Sequence, residues 1–264
     1  MLIVEKGTGD PLVLIPGLQG RWEYVQPAVD ALSKMFHVIT FSLADEPAAG
    51  FAFEDRRGLD SYVDQVELAL VETHVERATI CGISFGGLIA LRFAAVHSAP
   101  TAALVMASPP GPSWRPHRRH QIYARLPRVF GPIFAAESPW RLRAELARAF
   151  DTAAARRRFL RSQFGLLVKA PFSFTRMARR ALLMSSSGPA ADAARVTSPT
   201  LVITGEPPLD LVVSAEGSLE YVRLIRGAQS HVLHRTGHLG SITRPDAFAA
   251  VVHEFVNGHV HAAA

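Results

Sequence analysis

The sequence predicts an α/β fold in which a mostly parallel central sheet carries helices on both faces. Short apolar runs, typical of buried parallel strands, alternate with segments of helical periodicity. The alternation runs from residue 11 to 110 and resumes at 200. Of the 264 residues, 48% are hydrophobic, enough to bury a core, and only 19% are charged, which excludes a disordered chain.

Six strands are predicted, most of them apolar throughout and ended by glycine or proline. They span residues 11–16, 36–43, 77–83, 102–107, 200–204 and 230–235. Helical patterns, with apolar residues three or four positions apart, fill 22–35, 59–74, 85–97 and 244–256. Strands alternating with helices indicate βαβ units and therefore a parallel sheet.

The alternation stops between Pro110 and Thr200. This interval has helical periodicity without a convincing strand. We therefore predict a helical insertion at 111–190, placed within a core made of 1–110 and 191–264. Its aromatic side chains are expected to form an apolar inner side. They are Phe130, Phe134, Trp140, Phe159, Phe164, Phe172 and Phe174.

The insertion also carries the positive charge of the chain. Between Pro110 and Ala190 there are 16 Lys and Arg residues but three acids, so this segment has a net charge of +13 within a total of +5. The arginines either cover the solvated outer faces of amphipathic helices or attract an anionic substrate or acidic surface. No aromatic–basic recognition motif is present, so we expect no nucleic-acid partner.

Other sequence features indicate the cellular setting. Cys81 is the only cysteine, so no internal disulfide can form. The first nine residues lack a basic region followed by an apolar run, and no apolar stretch reaches the length of a membrane span. We expect a cytoplasmic protein without stable membrane insertion. The sequence does not indicate an oligomeric state.

The motif that carries chemistry is Gly82-Ile83-Ser84-Phe85-Gly86. A strand precedes it and a helix of small apolar residues follows, the context in which G-x-S-x-G forms a nucleophile elbow. In such a turn the serine hydroxyl projects above the sheet, and the glycines two positions away leave room for the backbone. Ser84 is the predicted nucleophile, and the Phe85 N–H, at the helix start, is predicted to stabilise an oxyanion.

A nucleophilic serine needs a base and an acid that orients it. His238 follows the last predicted strand on a loop, from which it can overhang the sheet edge near Ser84. Asp210 lies in the loop after the strand at 200–204 and is the favoured acid, with Glu206 as the alternative. Asp210 could instead be only the N-cap of a helix at 212–221.

The second oxyanion donor is expected after the strand at 11–16, where Leu18 is flanked by Gly17 and Gly20. The Leu18 N–H is the candidate, although the two glycines could form only a turn. His231 and His234 precede His238 and raise the possibility of a metal site. They would face opposite sides of a strand, so no metal and no organic cofactor are expected.

These motifs, in the order PGLQG, CGISFGG, TGEPPLDLVV and RTGH, resemble those of the α/β-hydrolase superfamily over nearly the whole chain. The resemblance implies the α/β-hydrolase fold, with the insertion at 111–190 as a helical cap over the site. The sequence departs from the pattern of many relatives in two places. Pro16 replaces a histidine before the oxyanion glycine, and Pro208 occupies the usual position of the acid, which here comes at Asp210.

The resulting hypothesis is a serine hydrolase that cleaves a carboxylic ester, lactone or thioester through an acyl-enzyme. An apolar cap over Ser84 would favour a small-molecule substrate with an apolar part. The same triad also serves acyl transfer, perhydrolysis and C–C bond hydrolysis, and fold does not decide among them. A low-turnover ligand-binding protein on this fold is a further alternative.

Overall fold

The computed structural model describes residues 1–260, so the last four positions of the predicted core segment 191–264 lie outside the described residues. Within this range, one sheet has the strand order β1-β3-β2-β4-β5-β6-β7. All neighbouring strands are parallel except β1 and β3. The strands are β1 (Ile3–Lys6), β2 (Pro11–Ile15), β3 (His37–Phe41), β4 (Ala78–Ile83), β5 (Thr101–Ala107), β6 (Thr200–Thr204) and β7 (Gln229–Val232).

The mostly parallel sheet confirms the predicted fold class, and each of the six predicted strands overlaps an observed one. The first strand, β1, was not predicted. It pairs antiparallel with β3, with Ile3 opposite Phe41 and Lys6 opposite Val38. It has four residues at the sheet edge, none of them buried, so its sequence lacks the apolar run that marks the inner strands.

Eleven α-helices lie within residues 1–260. They are α1 (Gln26–Leu32), α2 (Asp60–Glu72), α3 (Phe85–Val96), α4 (Arg118–Arg125), α5 (Pro127–Ala149), α6 (Ala153–Lys169), α7 (Phe174–Ser186), α8 (Pro189–Ala193), α9 (Ala215–Leu224), α10 (Gly240–Thr243) and α11 (Pro245–Val260). None of them combines the length and apolarity that a membrane crossing requires.

Alternate residues of the strands belong to two separate apolar cores, one on each face of the sheet. On β2, Val13 and Ile15 face the core shared with α2, α3 and α9, whereas Leu12 and Leu14 face the core shared with α1 and α11. This is the period of two that a sheet buried on both faces requires. The helices therefore cover both faces of the sheet, as predicted.

The interval between β5 and β6 contains α4 to α8 and no strand. Helix α6 has no buried residue, and Arg157, Arg158 and Arg161 on it are exposed, as the solvent-facing interpretation of the arginines expects. The prediction that all the aromatic residues face inward is wrong for Trp140 and Phe164, which are each 69% exposed. Phe164 follows the half-buried Phe159 by five positions, which on a helix turns it about 140° away.

Candidate active site

Ser84 occupies a strained turn between β4 and α3. Its backbone angles are φ 54° and ψ −117°, a conformation that residues with a side chain rarely adopt. The neighbouring glycines are sterically required. A Cβ on Gly82 would overlap the carbonyl oxygen of Gly86, and a Cβ on Gly86 would overlap the carbonyl oxygen of Ile15. The motif therefore folds into the sharp turn that its spacing predicts.

The turn brings the Ser84 hydroxyl to the imidazole of His238. Oγ of Ser84 lies 3.1 Å from Nε2 of His238, across 154 positions of the chain. His238 lies on the loop between β7 and α10, and its side chain is 12% exposed. Ser84 itself is 9% exposed. The two groups are thus within hydrogen-bond reach in a largely enclosed place.

Asp210 lies on the other side of the imidazole. Its Oδ2 is 3.5 Å from Nδ1 of His238, which is long for a hydrogen bond, while its Oδ1 accepts the N–H groups of Val212 and Val213 at 3.0 Å each. The suggestion that Asp210 caps a helix at 212–221 is wrong. Helix α9 begins at Ala215, and its capping side chain is Ser214.

Close backbone packing brings the loops of acid and histidine together. The N–H of Glu206 donates to the carbonyl of Thr236 at 2.7 Å. A Cβ on Gly237 would overlap the carbonyl oxygen of Leu209. The absence of a side chain at Gly237 therefore lets the loop of His238 rest directly on the loop of Asp210.

Glu206, the alternative acid, lies away from the imidazole of His238. Its Oε1 accepts the N–H of Arg235 at 2.9 Å and lies 3.4 Å from Nδ1 of His234. Its side chain is 31% exposed. Of the two candidate acids, the structure brings Asp210 and not Glu206 to His238.

The surrounding charges determine how these groups hold protons. Burial alone would lower the pKa of His238, but the carboxylates of Asp210 and Glu145 outweigh it and hold that pKa above its ordinary value. Burial acts to raise the pKa of Asp210, yet contact with His238 and the two backbone N–H donors bring it below its ordinary value. The arrangement therefore suits a charged Asp210 beside a histidine that readily accepts a proton.

The residues predicted to supply the two oxyanion donors are Phe85, which follows Ser84 in the chain, and Leu18, which lies in a turn packed close to the serine. Phe85 is the first residue of α3, so its N–H has no acceptor within the helix. Residues 17–20 form a turn in which the N–H of Gly20 donates to the carbonyl of Gly17. A Cβ on Gly17 would lie 3.4 Å from Cβ of Ser84, so the residue before Leu18 packs close to the serine.

A buried arginine on α7, which the sequence did not single out, contacts this turn. Arg180 is fully buried, and its Nη1 donates to the carbonyl of Leu18 at 2.8 Å. Its Nε and Nη2 bind Asp45 at 3.0 and 2.6 Å, and Nη2 binds Glu46 at 2.6 Å. The insertion thus holds the turn through a carbonyl, leaving the N–H of Leu18 free of this contact.

A second buried charge from the insertion contacts the histidine loop. Glu145 on α5 is fully buried, and its Oε1 accepts the N–H of Leu239 at 2.8 Å. One weak signal for Glu145 was its rarity, since it is one of three acids among the 16 cations of Pro110–Ala190.

The histidine trio is not brought together. His231 and His234 are exposed, whereas His238 lies beside Ser84. Among residues 1–260, no three His, Cys, Asp or Glu side chains are grouped so as to hold a metal ion.

Fold and site together define a class: an α/β protein that presents a serine on a strand–helix elbow to a histidine and a carboxylate. The alpha/beta hydrolase family model matches residues 12–251. The chain therefore belongs to the alpha/beta hydrolase family.

Individual relatives are more distant. A 2-hydroxymuconate semialdehyde hydrolase of Pseudomonas sp. (strain CF600) is 28% identical over 272 aligned positions, which cover 96% of this chain and 88% of that protein. The structure of a meta-cleavage product hydrolase from Pseudomonas fluorescens IP01, an S103A mutant complexed with acetates, is 25% identical, with a TM-score of 0.69 and coverage of 97% and 93%. An enol-lactonase from Burkholderia xenovorans LB400 matches in fold, with 20% identity, a TM-score of 0.75 and coverage of 97% and 96%.

Proposed function

We propose that this protein hydrolyses a carboxylic ester, or a related acyl substrate such as a lactone or thioester, through an acyl-enzyme on Ser84. The observation that carries the proposal is the 3.1 Å approach of Nε2 of His238 to Oγ of Ser84 on a strained elbow. A serine at its ordinary pKa is a weak nucleophile, and a base at this distance activates it.

The three side chains then have different roles in the reaction. His238 takes the hydroxyl proton as Oγ of Ser84 attacks the carbonyl carbon, and it gives that proton to the leaving group. Asp210 orients the imidazole and stabilises its positive charge. In the second step His238 takes a proton from water as the water oxygen attacks the acyl carbon. The bond from that carbon to Oγ then breaks, and His238 returns the proton to Oγ as the carboxylic acid leaves.

The N–H groups of Phe85 and Leu18 are proposed to hold the oxyanion. Both belong to backbone next to Ser84, and neither needs to move a side chain during the reaction. Donors that are already oriented toward developing charge contribute more than donors that reorganise.

We propose that residues 111–190 act as a cap that shapes the substrate site. Tyr24, which lies shortly after the Leu18 turn, donates its hydroxyl to the carbonyl of Ala170 at 2.9 Å and packs edge-on against Phe172. Phe172 in turn packs against Phe174. Tyr24 is buried and the two phenylalanine rings are half-buried, and this aromatic group supports a substrate with an apolar part.

A second candidate reaction is hydrolysis of a C–C bond. It is favoured by the two relatives of 28% and 25% identity, whose names are a 2-hydroxymuconate semialdehyde hydrolase and a meta-cleavage product hydrolase. The same serine, base and acid serve both reactions, so assays rather than fold decide between them.

The test is a panel of 4-nitrophenyl esters of increasing acyl length, run beside 2-hydroxymuconate semialdehyde, with wild type, S84A and the exposed-serine control S162A. We expect wild type and S162A to turn over at least one ester and S84A to be inactive. Turnover of the semialdehyde alone would replace the ester proposal by C–C hydrolysis. Equal turnover by S84A would refute both. Added alcohols or hydrogen peroxide, followed by product analysis, would reveal acyl transfer or perhydrolysis.

A further inference from the structure

Glu145 is a buried charged group that the three-residue triad does not use. It lies near the C-terminal end of α5, in the insertion, and none of its surface is exposed. Its Oε1 accepts the N–H of Leu239 at 2.8 Å. Leu239 directly follows His238, so this hydrogen bond fixes the backbone beside the imidazole.

The same loop is tied to the end of α5 at a second point. Nε of Arg235 donates to the carbonyl of Arg148 at 3.1 Å, and Nη2 of Arg235 binds Asp151 at 2.6 Å. The loop from Arg235 to Leu239 therefore contacts the insertion at both of its ends, with His238 between them. The contact between Arg235 and Asp151 is partly exposed, whereas the contact between Leu239 and Glu145 is made by a buried side chain.

The second oxygen of Glu145 is the unusual feature. Oε2 is buried and has no hydrogen-bond partner among the described residues. A buried carboxylate oxygen that lacks a hydrogen-bond partner is destabilising unless a positive charge lies nearby. His238 becomes such a charge when it takes a proton from Ser84.

We propose that Glu145 is a positioning residue for His238, supplied by the insertion, which holds the backbone after the histidine and presents a second carboxylate to its imidazole. The inference rests on the proposed function, in which His238 is the base. It assigns to the insertion a direct part in arranging the triad, besides any contact with substrate.

Electrostatic interactions connect three groups at this contact. The imidazole of His238 interacts with the carboxylates of Asp210 and Glu145, and Glu145 interacts in turn with His238 and Asp210. Burial raises the pKa of Glu145, while the N–H groups of Gly237 and Leu239 and the charge of His238 oppose that rise. An ionised Glu145 would hold the pKa of His238 higher than Asp210 alone could.

A purely structural role would predict something different. Glu145 would then stabilise the fold, and its charge would leave His238 unaffected. E145Q separates the two, because glutamine keeps the shape and can accept the N–H of Leu239 through its carbonyl oxygen but carries no charge. E137Q is the matched control, since Glu137 lies on the same helix and pairs with Arg119 instead.

The decisive measurement is the pKa of the His238 ring, followed by NMR in wild type, E145Q and E137Q and assigned by comparison with H238Q. We expect E145Q to lower it by about 0.5 to 1 unit, the loss of a nearby opposite charge, and E137Q to leave it unchanged. An unchanged pKa in E145Q would overturn the electrostatic part of the proposal.

Kinetics test the positioning part. E145A removes the acceptor as well as the charge, so we expect its kcat to fall about tenfold or more, with KM within about twofold. E145Q should keep kcat within about threefold at a pH where His238 is neutral. A folded E145A with wild-type kcat would overturn the positioning role. If E145A does not fold, the role would be overturned by an E145Q whose kcat falls as far as that of a triad variant.

Failure of the two proposals can be told apart. The titration of His238 needs no turnover, so it reports on Glu145 even in a protein that cleaves no ester. Wild type without turnover, combined with a lowered pKa in E145Q, would refute the proposed function and keep the Glu145 contact. Turnover by wild type, combined with an unchanged pKa of His238 in E145Q, would keep the proposed function and refute the electrostatic role of Glu145.

Discussion

Nη1 of Arg180 donates to the carbonyl oxygen of Leu18 at 2.8 Å, joining the helical insertion to the turn beside the nucleophile across 162 positions of the chain. The same guanidinium binds Asp45 and Glu46. A carbonyl held from one side fixes the peptide plane that follows it. The contact therefore orients backbone next to Ser84 through a residue that touches neither serine nor histidine.

Replacing this arginine should impair both stability and turnover. R180M leaves the carboxylate of Asp45 buried without its arginine, whereas Glu46 keeps an ion pair with Arg176 at 3.1 Å. Breaking a buried pair in this way costs about 3–5 kcal/mol of unfolding free energy. The freed Leu18 turn should also lower kcat about tenfold in the protein that remains folded. Urea unfolding and ester kinetics measure the two effects.

The neighbouring arginine provides the control. Arg179 pairs with Asp55 at 3.2 Å, but both side chains are more than 60% exposed, at 63% and 68%. R179M should change the unfolding free energy by no more than about 1 kcal/mol and leave kcat unaltered. Equal effects of R179M and R180M would show that the buried contact has no special role.

The identity of the acid can be decided by a matched pair of amides. D210N removes the charge beside His238 and disturbs its tautomer, so kcat should fall by about 10³ to 10⁴. E206Q alters a carboxylate that accepts the backbone N–H of Arg235, so kcat should fall by less than about threefold. Steady-state rates on one ester measure both. A severe loss in E206Q with an active D210N would assign the acid to Glu206.

The pH dependence follows from the carboxylates around the imidazole. His238 must be neutral to accept a proton, so kcat/KM should rise as pH increases through its pKa in the free enzyme. Asp210 and Glu145 raise that pKa above 6.5, its ordinary value. The acidic limb of the profile is therefore expected to have its midpoint above pH 6.5. A midpoint below that value would contradict the charge arrangement described for His238.

Local sequence was sufficient for the elbow and the histidine. The glycines around Ser84 and the strand and helix beside it are all within a few positions, and the parallel direction of the strands follows from βαβ connections. For the acid, Asp210 was favoured and Glu206 stayed an alternative, because their loop carries two carboxylates whose directions depend on how Gly237 packs against it. Sequence spacing does not determine such a contact.

Glu145 and Arg180 could not be predicted for a different reason. Both lie on helices of the insertion, where helical periodicity indicates which residues are apolar but not which polar residue meets the core. Their partners, Leu239 and Leu18, are 94 and 162 positions away in the chain. Only the packing of the insertion onto the core brings them to the catalytic loops.

Two glycine substitutions should have opposite effects on stability. G86A places a Cβ against the carbonyl oxygens of Ile15 and Pro16, where backbone would have to shift, so we expect a loss of about 3 kcal/mol or more. G165A lies within α6, where the new Cβ would meet nothing within 4 Å beyond the helix's own backbone, so the gain should be about 0.5–1 kcal/mol. Denaturant unfolding compares them. A tolerated G86A would contradict the tight elbow.

The most direct test of the catalytic arrangement is covalent labelling with a fluorophosphonate probe, followed by peptide mass spectrometry. The geometry predicts one adduct, on the peptide that contains Ser84, none in S84A, and labelling slowed at least about a hundredfold in H238Q. No adduct in folded wild type, an adduct on another residue, or equal labelling in H238Q would contradict the assignment of Ser84 and His238 as nucleophile and base.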